Sequence, residues 1–279
     1  MHLKTCIMKK LKTLILVGLN CLLIGASASA QKLPTVQQVS LHAPKNIKID
    51  GKTTEWNNQF QALNHNVDAY YTIANDADNL YLIVQPKDAT IAKKAIVWGI
   101  VFSITHARNN YDQCIIVGSP LIPESEQVGI MQRYSEFKEY ADHNAKPKQL
   151  DSLLLIANNE LTKASKEIAL GGIKETGSTI SVYNEFDIKT ILLFDKNGAL
   201  NYELAIPLKY LNIPANSQPS FFYELMIKGM ADHAKIVKSK TGETATVTDI
   251  PIGMSSGRSS DTELLMNNTS FWGQYTLAR

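Results

Sequence analysis

Apolar residues recur along most of the chain in short runs with a two-residue period, and Asn, Asp, Gly and Pro cluster between the runs. Such runs cover residues 67–73, 80–84, 97–104, 115–117, 180–183, 202–206 and 221–227, and each predicts a β-strand. The polar stretch Asn75-Asp76-Ala77-Asp78-Asn79 joins the first two as a hairpin, because Asn and Asp side chains close turns onto their own backbone. In Tyr202-Glu203-Leu204-Ala205-Ile206 and Phe221-Phe222-Tyr223-Glu224-Leu225 an acid stands between apolar residues. That alternation predicts one packed and one solvated face, with Glu203 and Glu224 in water. Phe271-Trp272-Gly273-Gln274-Tyr275-Thr276-Leu277 predicts a closing strand. Many strands without a βαβ rhythm predict an antiparallel β-sandwich.

The period changes in the middle. Between residues 125 and 140, and again between 149 and 168, apolar residues recur at helical spacing, with Leu150, Leu153, Leu154, Ala157, Leu161, Ala164 and Ile168 on one stripe. This predicts a helical hairpin inserted at about residues 123–170, broken near Pro147, ended by Gly171-Gly172 and lying against one sheet. Residues 231–270 are rich in Ser, Thr, Gly and Lys and predict a long polar loop carrying a short strand near residues 247–252.

The first thirty residues are different again. Lys4, Lys9, Lys10 and Lys12 precede an apolar run over residues 14–24, and the tail Ala26-Ser27-Ala28-Ser29-Ala30 follows. This is the pattern of a secretory signal peptide with cleavage after Ala30, and the apolar run falls short of the roughly 20 residues a spanning helix needs. Met8 offers an alternative start, and Cys21 lacks the small residue that lipidation wants just before it. The reading is therefore an exported protein, periplasmic or extracellular, with residues 1–30 as signal and residues 31–279 as one domain without a transmembrane segment. Four of the 28 Lys and Arg and none of the 26 acids lie in the signal, so the mature chain carries 24 against 26 and its net charge passes from +2 to −2. A near-neutral chain with interspersed charges lacks the basic field that tracks a phosphate backbone, so nucleic acid is not the expected partner. Cys114 is the one cysteine left and, within Gln113-Cys114-Ile115-Ile116-Val117, reads as a small buried apolar residue.

Candidate chemistry is sparse. Gly253-Met254-Ser255-Ser256-Gly257 matches a nucleophile elbow, but the polar Arg258-Ser259-Ser260-Asp261 that follows offers no helix face to support it. His42, His65, His106, His143 and His233 never stand at the i, i+4 spacing of zinc ligands on a helix. Asp76 and Asp78 could supply oxygens to calcium, and turn formation is the simpler alternative; no other cofactor is indicated. Asp50-Gly51-Lys52-Thr53-Thr54-Glu55-Trp56 is the most informative segment, since a tight Asp-Gly turn lets the indole fold back as an apolar plug or, alternatively, stack on a ligand.

That segment, the Asp76-Ala77-Asp78-Asn79-Leu80-Tyr81-Leu82 hairpin, the strand Tyr202-Glu203-Leu204-Ala205-Ile206-Pro207 and the closing strand together resemble, in order, the framework of family 9 carbohydrate-binding modules. The resemblance implies a jelly-roll-like sandwich and sugar binding by aromatic stacking. The framework matches, whereas Ala95-Ile96-Val97-Trp98-Gly99-Ile100-Val101-Phe102-Ser103-Ile104 lacks the stacking Trp and acids of the family's W-x-x-D-x-V-E-I-F-I strand. The strand 223–229 likewise lacks the family's polar Q-x-N-D end, and Leu264-Leu265-Met266 stands where a second Trp belongs. The expectation is a non-catalytic binding module for a glycan or other small ligand, with Trp98, Tyr111, Trp272 and Arg258 as the candidate binding side chains. The alternative is a structural or interaction protein of the cell envelope. The sequence sets no oligomeric state.

Overall fold

The computed structural model describes residues 32–108, 114–143, 146–211, 213, 219–230, 235–238, 244–247 and 264–279. The elements below belong to the unit Pro34–Arg279. Five strands, β1 (Ala62–Asn64), β2 (Ala69–Asn75), β3 (Asn79–Pro86), β9 (Leu200–Pro207) and β8 (Lys189–Phe194), form a first sheet in that order. Six more, β13 (Thr269–Thr276), β10 (Ser220–Ile227), β4 (Ile100–Thr105), β5 (Ile115–Pro120), β6 (Glu167–Gly171) and β7 (Thr179–Ser181), form a second. Every pairing in both is antiparallel. Within the stretch read as a polar loop, β11 (Lys235–Lys238) and β12 (Thr244–Val247) pair as a two-stranded ribbon.

The two-residue period explains how the sheets meet. Tyr71, Ile73, Leu82, Val84, Tyr202 and Leu204 of the first share one buried cluster with Phe102, Ile104, Val117, Tyr223, Leu225 and Phe271 of the second. Burying each such side chain contributes about 1.5–3 kcal/mol. At the centre the Tyr71 and Tyr223 hydroxyls are 2.9 Å apart, and the Phe271 ring lies 5.2 Å from that of Tyr71. Gly273 is required opposite Tyr223, since a Cβ there would lie 2.3 Å from the phenol oxygen. The chain crosses from first sheet to second between β3 and β4 and again between β9 and β10, while β3 pairs with β9 and β4 with β10. The strands that precede the two crossings thus pair in one sheet and the strands that follow them pair in the other, which is the jelly-roll-like connection.

Three helices of ten residues or more belong to the described fold: α1 (Ala89–Trp98), α2 (Glu124–Asp142) and α3 (Pro147–Ala164). Helix α1 corrects the strand expected over residues 97–104. Asp88 caps its start by accepting from the amides of Thr90 and Ile91, and Ile91, Ala92, Ala95 and Ile96 form its buried face. Gly99, at φ 91°, ends the helix before β4 begins.

Helices α2 and α3 are the expected inserted hairpin, between β5 and β6. Leu154, Ala157, Leu161 and Ala164 are buried as the stripe predicts. Ile168 belongs instead to β6, where periods of four and two coincide, and Gly171-Gly172 turns the chain after that strand rather than ending a helix. The hairpin covers the free edge of β8. Tyr134 stacks on Phe194 at 4.5 Å, and Asn158 bonds both the N–H and the C=O of Phe194 at 2.8 Å, standing in for a neighbouring strand. No described helix is long and apolar enough to cross a membrane.

Candidate functional site

The outward residues of β9 define the first region of interest. Asn201, Glu203 and Ala205 alternate with the inward Tyr202, Leu204 and Ile206, so Glu203 faces away from the sandwich core, yet it is fully buried. This overturns the solvent-facing expectation. Its cover comes from the Asp50–Trp56 segment, which lies across the sheet. One carboxylate oxygen accepts from the amides of Asp50 (2.9 Å) and Gly51 (2.7 Å), and the other accepts from the Trp56 indole N–H (2.9 Å). Asn201 adds a bond from its amide to the Gly51 carbonyl at 3.0 Å. Gly51 sits at φ 77°, and a Cβ there would come within 2.8 Å of the Leu193 Cβ, so the turn can approach the sheet only as glycine.

Trp56 packs on Ala74, Tyr81, Ile83 and Ala205 in a second small core with Ile47 and Ile49 against it. The plug reading of this tryptophan therefore holds, and three of the four segments that carry the resemblance, the Asp50–Trp56 turn, the 76–82 hairpin and the 202–207 strand, meet on one face. Burial pushes the Glu203 carboxyl up to about 7, against three N–H donors that favour the ionised form. In the hairpin turn, Asp76 accepts from the amides of Asp78 and Asn79 (2.9 and 2.7 Å) and from the Tyr81 hydroxyl (2.8 Å). Partial burial pushes the Asp76 carboxyl up, but these three donors outweigh it and hold the group below the usual carboxylate range. Burial, and then donation to Asp76, push the Tyr81 hydroxyl up to about 12.

Beside this core the same face opens into a groove of about 790 Å³. One wall is Ile47, Lys48 and Ile49, immediately before the turn that Glu203 holds. The floor is the cross-strand row Tyr81, Ala205 and Lys189. The end is formed by Ala77, Asp78 and Asn79, by Pro207, Leu208 and Lys209 at the close of β9, and by Asp187 before β8. Lys48, Lys189 and Lys209 are exposed, and among the described residues no carboxylate lies within 4.0 Å of any of them. Sequence reasoning missed these lysines, which stand in separate segments of the chain and share no local motif.

On the outer face of the second sheet, Glu224 stands in register between Ser103 of β4 and Trp272 of β13. Glu224 and Ser103 are buried, which corrects the solvent-facing reading here too, while Trp272 is half-buried. Cys114 is buried beside this row, and burial pushes its thiol up. Trp98, at 8% exposure, closes a cluster with Val97, Met131, Met230 and Leu265 and so presents no open ring face. Nearby, Lys94 of α1 is fully buried and donates to the Asn267 carbonyl (2.8 Å) and the Thr269 hydroxyl (3.0 Å); burial pushes its ammonium down to about 8.

Tyr111, Arg258, Ser255 with its glycines, and His233 lie outside the described residues. His42, His65, His106 and His143 are exposed and dispersed. Asp78 is exposed at the groove's end, and no group of three or more His, Cys, Asp or Glu among the described residues is placed to hold a metal ion.

In comparisons with known proteins, no family model matches the chain and no curated protein matches it.

Proposed function

We propose that the chain is an exported, non-catalytic binding module and that the groove on the first sheet takes its ligand, a glycan or another small polar molecule. The observation that carries this reading is the make-up of the groove. Its volume of about 790 Å³ falls in the range of small-molecule sites, and apolar Ile47, Ile49 and Leu208 alternate around it with Asp78, Asn79 and three lysines. Apolar surface for the C–H face of a sugar ring and polar groups for its hydroxyls are thus side by side. The anchored wall adds pre-organisation, because Glu203 fixes the turn from which Ile47–Ile49 lead. The ordered resemblance to family 9 carbohydrate-binding modules points the same way, through framework residues.

A second reading has its own support. Leu155 and Ile156 on α3 are 62% and 44% exposed, and Leu121 before α2 and Val128 on it are exposed as well, so the helical insert offers apolar surface to a partner in the cell envelope. A glycan array on residues 31–279, followed by isothermal titration of each hit, separates the two. The binding reading expects saturable one-to-one binding to at least one glycan class; binding to none favours the interaction reading.

A further inference from the structure

Resting on the binding reading above, we infer that the ligand of the groove is a uronate sugar, a hydroxyl-rich ring bearing a carboxylate. Lys48 on the wall, Lys189 on the floor and Lys209 at the end place three lysines around one concavity. Among the described residues Lys52 pairs with Asp50 at 2.8 Å and Lys87 approaches Asp68 at 3.9 Å. The groove lysines have no such partner among the described residues, and only Lys209 has another engagement, its ammonium lying 4.9 Å from the centre of the Tyr210 ring.

Three ligand classes can be weighed against this lining. A neutral sugar entering the groove would strip water from the ammonium groups and return only neutral hydrogen bonds, a poor exchange for a charge. A bare anion such as phosphate would satisfy the lysines but would bring like charge towards Asp78 and Asp187, which line the same space. A uronate answers both conditions. Its carboxylate takes charge-assisted bonds from lysine, its hydroxyls donate to the two aspartates and exchange bonds with Asn79, and its C–H face lies on Ile47, Ile49 or Leu208. The selectivity expected is thus for a carboxylate and hydroxyls together.

The test is isothermal titration of residues 31–279 with four probes: free galacturonate, an oligogalacturonate, the neutral galactose oligomer of equal length, and inorganic phosphate. The expected result is that one or both uronates bind at least about tenfold more tightly than the neutral oligomer and phosphate, with the advantage shrinking at high salt. Lys48→Ala, Lys189→Ala and Lys209→Ala should each weaken uronate binding about tenfold while the circular dichroism spectrum and melting midpoint stay unchanged. Equal binding of the neutral oligomer, equal binding of phosphate, or lysine variants that bind as well as the parent would overturn the uronate assignment and leave a binding module standing. Binding of no probe in this assay, together with no hit on the glycan array, would overturn the binding reading itself.

Discussion

The same tripeptide, Tyr-Glu-Leu, occupies the middle of a central strand in each sheet, at 202–204 in β9 and 223–225 in β10. In both, Tyr and Leu enter the shared core and Glu turns outward, yet the two sites end in different chemistry. Glu203 is roofed by the Asp50–Trp56 segment and holds three N–H groups of it, whereas Glu224 lies in a cross-strand row with Ser103 and Trp272. The tyrosines differ as well. Tyr223 shares its hydroxyl with Tyr71, while the Tyr202 hydroxyl is buried with no hydrogen-bond partner among the described residues. An alternating strand fixes which side chains face out; what covers them is decided by segments far away in sequence.

The comparison can be broken at four points. The largest effect is expected from Trp56→Ala, which deletes a buried indole and one donor to Glu203 and should lower stability in urea unfolding by about 3–5 kcal/mol. Next comes Glu203→Gln. The wild-type carboxyl has a folded pKa of about 7 against an ordinary 4.5, so the folded state binds the extra proton between these values. Its stabilising contribution is present below 4.5 and is lost as pH rises through 7, on the order of 2–3 kcal/mol. The Glu203→Gln variant should abolish this slope and, by setting an amide donor against the Trp56 or Gly51 N–H, lower stability at pH 5 by about 1–3 kcal/mol. Unfolding midpoints at pH 5, 6, 7 and 8 for both proteins check this, and an unchanged slope would contradict a buried Glu203 carboxyl that takes up a proton on folding.

Helix α1 carries the opposite case, in a lysine bonded to Thr269 of the second sheet. Lys94 has its folded pKa depressed to about 8 from 10.5, so its stabilising contribution is present above 10.5 and is lost as pH falls through 8, on the order of 2 kcal/mol. Stability of the wild type measured from pH 8 to 10.5 should therefore rise on this account, and Lys94→Met should flatten that rise. The smallest effects separate the two tyrosines. Tyr202→Phe removes an unpartnered hydroxyl and should be neutral or stabilising by up to about 1 kcal/mol, whereas Tyr223→Phe takes a partner from Tyr71 and should cost about 1 kcal/mol.

Much of the framework was legible because period two and period 3.6 are local signals. The β2–β3 hairpin, β9, β10, β13 and the paired helices of the insert follow from spacing and turn residues alone. Helix α1 was hidden because Val97 and Trp98 suit a strand and run straight into β4, although Asp88 and the Ile91, Ala92, Ala95, Ile96 spacing carried the helical signal. The buried state of Glu203 was not legible, since an acid between apolar neighbours reads as solvent-facing until its roof, about 150 residues upstream in the chain, is in place. The groove was invisible for the same reason. Ile47–Ile49, Asp78–Tyr81, Asp187–Lys189 and Ala205–Lys209 come together only when β3, β8 and β9 pair.

The measurement closest to the central claim is amide chemical-shift mapping of isotopically labelled residues 31–279 during titration with the tightest-binding sugar. Ligand-dependent shifts concentrated at residues 47–49, 77–81, 187–189 and 205–209 are the predicted result. Shifts concentrated instead around Ser103, Glu224 and Trp272, with the groove residues unmoved, would contradict it and move the site to the second sheet.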